Sequence, residues 1–189
     1  MDLAWKPLDA DLPTSADGEG GKFNPAIAPV ELHTSWDIPA NDARPAIRLH
    51  WYQGGMLPES PHPDANLKKI GHGAMFKGTK GALVADFGKN WLYPLDGGDL
   101  SHYTPRPKEK QLPPMGGFHA EWLRACKGDR KTTCNFDYAG KLIETMLLGL
   151  VAFRLGRKLK YDGKTGRTGD PEADKLMIRE YREGWKLDG

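Results

Sequence analysis

The most constraining feature of this chain is a change of hydrophobic period, from strand-like alternation in its first half to a helical stripe near its end. Residues 30–38, VELHTSWDI, alternate apolar and polar side chains, and so do residues 46–53, AIRLHWYQ. A period of two with β-branched and aromatic residues is typical of half-buried strands. The Pro, Asn and Asp residues between the two segments favour an antiparallel pair. On the first strand, the residues expected to share the buried face are Val30, Leu32, Thr34, Trp36 and Ile38.

Glycine-rich turns punctuate the segments that follow. The sequence GTKG at 78–81 separates two short apolar segments, which predicts a hairpin whose glycines adopt positive φ. The segment NWLYPL at 90–95 predicts a further short strand. Residues 1–29 and 96–117 have neither period, so we expect loops there, with room for one short strand in the first.

Two helices are predicted after these loops. Phe118–Lys127 is followed by Gly128, a residue type that suits the C′ position of a helix. Asp137 is expected to cap the longest helix, Tyr138–Leu155, because its side chain can accept a hydrogen bond from a first-turn N–H group. The broad apolar stripe of this helix predicts that it packs on the sheet.

The C-terminal segment predicts one strand and one helix. Lys158–Tyr161 alternates as a strand, and Asp170-Pro171 predicts the N-cap and first position of a helix over Glu172–Tyr181. Strands thus precede the main helices without regular βαβ alternation. The predicted fold class is α+β, with an open, mostly antiparallel sheet and helices on one of its faces.

Length, charge and hydropathy restrict the class of protein. A chain of 189 residues with 27 basic and 25 acidic side chains fits one domain and has no basic excess, so we expect no nucleic acid and no membrane as partner. The first residues, MDLAWKPLDADLP, lack the basic and apolar parts of a signal peptide, and residues 146–153 are too short an apolar segment to cross a bilayer. The predicted location is cytoplasmic.

The cysteines and histidines do not predict a metal site. Cys126 and Cys134 are eight residues apart without paired histidines, which favours reduced structural thiols and leaves a disulfide open. His62, Asp64 and His72 do not have the spacing of three convergent ligands. A hydrolase is disfavoured as well, since the chain has no G-x-S-x-G motif, no cysteine–histidine pair and no clustered carboxylates.

Four polar side chains are candidates for a binding surface because they fall on the polar faces of the two predicted strands: His33, Arg48, His50 and Tyr52. Arrayed on one side of a sheet, such residues suit a subunit interface. Two other interpretations of the histidines and the tyrosine stay open at this point, pocket lining and an ordinary solvated sheet face.

Several short motifs, in this order, resemble the C-terminal domain of the Gfo/Idh/MocA oxidoreductases of bacteria. They are HWYQGG at 50–55, FKGTKGAL at 76–83, NFDYAG at 135–140, KYD at 160–162 and EYREGW at 180–185. The resemblance covers most of the chain, roughly Trp36 to Trp185. It implies the open antiparallel sheet of a glyceraldehyde-3-phosphate-dehydrogenase-like C-terminal domain over 30–189, with residues 1–29 as a loop-rich lead segment.

The resemblance also bears on catalysis. Members of this family carry a D-x-G-x-H-x-x-D-L helix, and Asp2 and Leu3 match its last two positions. The family's catalytic histidine would precede Met1, and its catalytic lysine and Gly-rich dinucleotide turn have no counterpart in this sequence. We therefore expect no catalytic residue, no metal and no cofactor site here, with NAD or NADP implied for a full-length relative and a dinucleotide-binding domain as a further partner.

The resemblance places two residues near the family's substrate pocket, Asp2 and His119, although a helix-start role for His119 is the alternative. The family uses the open face of this sheet for subunit contacts, which implies a homo-oligomer. The expected function is the substrate-binding and oligomerisation domain of an NAD(P)-dependent sugar or polyol oxidoreductase, inactive alone. The alternative is a stand-alone interaction or carbohydrate-binding module derived from that domain.

Overall fold

The computed structural model describes residues 1–95, 98–101, 103–104, 106–111, 116–128 and 130–185. The described chain forms two compact units, unit 1 from residues 1–58 and 141–189 and unit 2 from residues 59–140. The strands are β1 (Ser15–Gly20), β2 (Leu32–Ile38), β3 (Ile47–Gln53), β4 (Ala74–Lys77), β5 (Gly81–Ala85), β6 (Asn90–Pro94) and β7 (Leu159–Lys160). The helices are α1 (Asp2–Trp5), α2 (Leu67–Ile70), α3 (Phe118–Cys126), α4 (Phe136–Leu155) and α5 (Pro171–Met177), with a 3₁₀ turn at Lys108–Lys110.

The predicted α+β class is confirmed, and the strands form two open sheets. Unit 1 holds a four-stranded sheet in the order β3-β2-β1-β7, with every neighbouring pair antiparallel. Unit 2 holds a three-stranded antiparallel sheet in the order β4-β5-β6. Residues 1–29 contribute β1, which is a central strand of the first sheet.

One face of the unit 1 sheet packs against α4, and this contact makes the core. The alternation predicted for β2 holds, because Leu32, Thr34, Trp36 and Ile38 are buried. The buried residues of α4 are Thr145, Leu148, Gly149, Ala152 and Phe153. Val30 is the exception to the prediction: it precedes β2 and is 74% exposed, because the strand begins only at Leu32.

Two glycines allow helix and sheet to approach closely. A Cβ on Gly149 would lie 2.7 Å from Cζ2 of Trp36, and a Cβ on Gly18 would lie 2.9 Å from Cβ of Phe153. Contacts this short are not seen between carbon atoms that pack without strain. The helix–sheet spacing of unit 1 therefore depends on the missing side chains at these two positions.

The helix termini differ from the sequence prediction at two places. Asn135, not Asp137, caps α4: its Oδ1 accepts a hydrogen bond from the N–H of Tyr138 at 3.2 Å. Asp137 was the wrong choice because the helix already includes it and begins at Phe136. Helix α5 has the predicted Asp170 cap and first-position proline, but it ends at Met177, since Ile178 is extended.

The hairpin of unit 2 forms as predicted, but not through positive φ. Among the described residues with positive φ, neither Gly78 nor Gly81 occurs. The turn is closed instead by the N–H of Gly78, which donates to the carbonyl of Gly81 at 2.9 Å. Gly81 is required for a different reason, because a Cβ there would lie 2.8 Å from the carbonyl oxygen of Tyr93 on β6.

Candidate functional site

The four side chains predicted for an interface lie together on the face of the unit 1 sheet that points away from α4. Antiparallel register places His33 opposite Tyr52, Ser35 opposite His50 and Asp37 opposite Arg48. Directly opposed residues share a face, so the two strands contribute one continuous surface. We call it the open face and define it by Ser15, Asp17, Glu19, His33, Ser35, Asp37, Arg48, His50, Tyr52 and Lys160, together with Lys158.

A chain of hydrogen bonds on the open face crosses three strands. Nδ1 of His33 lies 2.8 Å from Oε1 of Glu19 on β1, and its Nε2 lies 3.0 Å from Nδ1 of His50 on β3. An ionised carboxylate only accepts hydrogen bonds, so His33 donates through Nδ1. In the neutral pair, Nε2 of His33 then accepts the Nδ1–H of His50.

The aromatic rings on this face are packed against one another. The ring of His33 is parallel to that of Tyr52, with centroids 4.3 Å apart and 5° between the planes. The ring planes of His33 and His50 are nearly parallel, with 15° between them, and the two rings are joined by the hydrogen bond between Nε2 of His33 and Nδ1 of His50. These contacts fix both imidazoles, because a rotation of either ring would break the stack or the hydrogen bond.

Beside the rings, Asp37 is the centre of a charged network. Its Oδ2 accepts hydrogen bonds from Nζ of Lys158 at 2.7 Å and from the hydroxyl of Ser15. Arg48 donates to the hydroxyl of Ser35 at 3.0 Å, and its Nε is 3.9 Å from Oδ1 of Asp37. The network joins side chains on β1, β2 and β3 to the residue before β7.

The environment shifts the pKa of three groups on the open face. Burial, and then the proximity of His33 and Arg48, lowers the pKa of His50 below its usual range. Burial, and then the carboxylate of Glu19, raises the pKa of Tyr52. Hydrogen bonds from Lys158 and Ser15 hold the pKa of Asp37 below that of a free aspartate. At neutral pH the phenol of Tyr52 is therefore neutral, Asp37 is ionised, and His50 is less readily protonated than a free histidine.

Glu19 and Lys158 are among the residues of this surface that sequence reasoning missed. Glu19 lies in GEGG, where glycines hide the strand period, and it is paired with His33 only through the β1–β2 register. Lys158 is 121 residues from Asp37, so no local pattern connects the two. The signal that was present is alternation, since Lys158 and Lys160 flank the buried Leu159.

The two substrate-pocket candidates are placed in different units. Asp2 is exposed in the first turn of α1 in unit 1. His119 is exposed in the first turn of α3 in unit 2, where Gly117 is the N-cap residue and makes no side-chain capping bond. Asp2 and His119 keep their pocket role as a prediction.

Two shallow, solvent-open depressions, each of about 430 Å³, mark the described surface. The first is in unit 1, beside Glu19, and the second is in unit 2, beside His72. Neither Asp2 nor His119 lines them. The residues around the first are Glu19, Gly20, Glu31, Gly54, Gly55 and Met56.

The described ranges contain neither a metal-binding cluster nor a membrane-spanning helix. Within them, no group of three or more His, Cys, Asp or Glu side chains is arranged to hold a metal ion. No described helix combines the length and the apolar character that crossing a bilayer requires. Cys126 and Cys134 are exposed free thiols.

Comparison with known proteins leaves the family undetermined. No family model matches this chain, and no curated protein matches it either. The functional argument therefore depends on the open face and on the sequence motifs.

Proposed function

We propose that this chain is the substrate-side and assembly domain of an NAD(P)-dependent sugar or polyol oxidoreductase of the Gfo/Idh/MocA type. In this proposal its open face binds the same face of a second copy. The observation that carries the proposal is the open face itself, an ordered array of polar and aromatic side chains on the side of the sheet that α4 leaves uncovered.

The chemistry of the open face suits a second copy of the same chain. In an interface with two-fold symmetry each surface meets itself, so the surface has to be self-complementary. The charges on the open face balance, with Asp17, Glu19 and Asp37 opposed to Arg48, Lys158 and Lys160. A face that carries both signs of charge in equal number can meet a copy of itself without a net repulsion.

The arrangement of residue types on the face supports the same conclusion. The rings of His33, His50 and Tyr52 lie together on β2 and on the edge strand β3, while the charged residues Glu19 and Lys158 lie toward the β1 and β7 side. Interfaces between proteins are typically enriched in Tyr and Arg relative to the rest of the surface. A solvated sheet face has no need of stacked rings across neighbouring strands.

The motifs that carry the family resemblance also fit the fold. The two glycines of HWYQGG end β3 with positive φ, FKGTKGAL contains the turn between β4 and β5, and NFDYAG begins α4. The last of these includes the Asn135 cap. Each motif thus has a local structural purpose, which supports the proposal without depending on any one of them.

A carbohydrate-binding module is the weaker alternative. Protein aromatic residues that hold a sugar offer a free ring face for the apolar side of the sugar to cover. Here one face of the Tyr52 ring is already occupied by His33 at a centroid distance of 4.3 Å. The ring cluster is therefore better suited to side-chain packing across an interface than to sugar stacking.

The test is sedimentation velocity at neutral pH on the wild type and on two matched charge reversals. Arg48→Glu places a carboxylate beside Asp37 and should weaken self-association at least about tenfold, the effect of a buried interface charge. Lys175→Glu makes the same charge change at an exposed position on α5 and should leave self-association unchanged.

A wild-type monomer at all concentrations would contradict the assembly role, as would equal weakening by both reversals. A second measurement tests the proposal that the cofactor site belongs to another domain. Titration of the chain into NADH and NADPH, followed by nicotinamide fluorescence, should give no saturable change. Saturation in the micromolar range would show a cofactor site in this chain and overturn the proposal.

A further inference from the structure

The histidine pair on the open face can hold one added proton but not two. In the neutral pair, the Nδ1–H of His50 points at Nε2 of His33 across 3.0 Å, and His33 donates to Glu19. A proton added at the outer nitrogen of His50 preserves every one of these bonds. A second proton, on Nε2 of His33, sets two N–H groups against each other, and the bond between the rings is lost.

Charged and titratable side chains of both signs surround the pair. The charged and titratable groups that face the pair are Asp17 and Glu19 on β1, Asp37 on β2, Arg48 and Tyr52 on β3, and Lys158 and Lys160 at β7. Arg48 is on the same strand as His50, two residues away. Asp37 is already hydrogen-bonded to Lys158 and Ser15, so it offers the pair little compensation.

From this geometry we infer that Glu19, His33 and His50 form a pH-sensitive latch, which holds the open face in its association-competent form at neutral pH and releases it on acidification. The inference rests on the proposed function, because the property that it controls is self-association through this face. Doubly protonated rings repel each other and the ring stack with Tyr52 is disturbed. In a symmetric pair of chains both copies of the latch are released together.

The lowered pKa of His50 sets the direction of the effect. The ordered face binds a proton on His50 less readily than a free histidine does. The contribution of the latch is therefore complete above the ordinary histidine pKa, about 6.5, and it is lost at the lower pH at which the second proton binds. A shift of one pKa unit on association corresponds to about a tenfold change in affinity.

The experiment measures the dimer Kd by sedimentation at about pH 7.5 and about pH 5.5. For the wild type, acidification should raise Kd about tenfold or more. His50→Gln cannot take up the proton, so its ratio of the two Kd values should be close to one whatever its absolute affinity. His72→Gln removes an exposed histidine of unit 2 and should keep the wild-type ratio.

Two outcomes separate this inference from the proposed function. A wild-type dimer whose Kd is the same at both pH values overturns the latch and leaves the assembly role intact. A monomer at neutral pH overturns both. If His50→Gln does not fold, ring-nitrogen NMR of the wild type decides: the second of the two rings to take a proton must do so over the pH range in which the dimer dissociates, and protonation of both rings without dissociation overturns the latch.

Discussion

The two sheets differ in how much large apolar surface they bury. Among the described residues, the largest side chains below 2% exposure all belong to unit 1: Trp36, Ile38, Leu148, Thr34, Thr145 and Pro13. The three-stranded sheet of unit 2 buries mainly Ala82 and Val84. Outside this sheet, several large apolar residues of unit 2 are exposed: Phe87, Phe118, Trp122 and Phe136. Because stability follows buried apolar area, unit 1 should be the more stable of the two.

The strongest test of this difference removes the largest buried side chain. Trp36→Ala should lower the free energy of unfolding of unit 1 by about 3–5 kcal/mol, since it leaves a cavity under α4. Hydrogen exchange read by mass spectrometry separates the units, and faster exchange should appear in 1–58 and 141–185. The matched change Val84→Ala should lower the free energy of unfolding of unit 2 by about 2 kcal/mol, and its faster exchange should appear in 59–140. Faster exchange in unit 2 alone after Trp36→Ala would contradict the assignment of the core.

A second test uses two glycines of the same helix. Gly149→Ala should destabilise the protein by about 1–3 kcal/mol, because the new methyl group would meet Trp36 at 2.7 Å. Gly140→Ala, where nothing lies within 4 Å, should instead stabilise it by about 0.5–1 kcal/mol through helix propensity. Urea unfolding of the two variants measures both effects. A Gly149→Ala variant that is stabilised, as Gly140→Ala should be, would show that α4 does not approach the sheet this closely.

The smallest expected effect concerns the charged network of unit 1. Asp37 has a lowered pKa, so its contribution is present above the pKa of an unfolded aspartate and is lost as the pH falls through the folded value. Because the carboxylate is 38% exposed, solvent screening limits this contribution to about 0.2–1 kcal/mol. Asp37→Asn should lower the free energy of unfolding by that amount near neutral pH and by progressively less as the pH falls through the lowered pKa of Asp37. A difference that persists in acid would exclude the charge as its cause.

The sequence predicts local structure in this chain better than it predicts pairing. Alternation identified β2 and β3 and both faces of β2, because each strand buries one side. The cap of α4 was missed, since Asn135 and Asp137 are both good capping residues and only the geometry decides between them. The division into two sheets was not predicted, because a strand's period says which side is buried and not which strand lies beside it.

The same reasoning applies to the open face. His33, Arg48, His50 and Tyr52 could be grouped because two neighbouring strands and a short loop contain them. Glu19 and Lys158 could not, because their partners become neighbours only when β1 and β7 join the sheet. The pH-sensitive pair and the charged network are therefore properties of the register.

The order of strands in unit 1 has a consequence for biosynthesis. Strand β7, at the edge of the sheet, and helix α4, which packs against the sheet, come from residues 136–160, after most of residues 59–140 have been synthesised. The ribosome has therefore synthesised β1, β2 and β3 long before α4, which contacts Trp36, and β7, which pairs with Ala16, leave the exit tunnel. During that interval the apolar side of three strands has no helix to cover it. A nascent chain of this design depends on fast elongation or on a chaperone to protect that surface until α4 arrives.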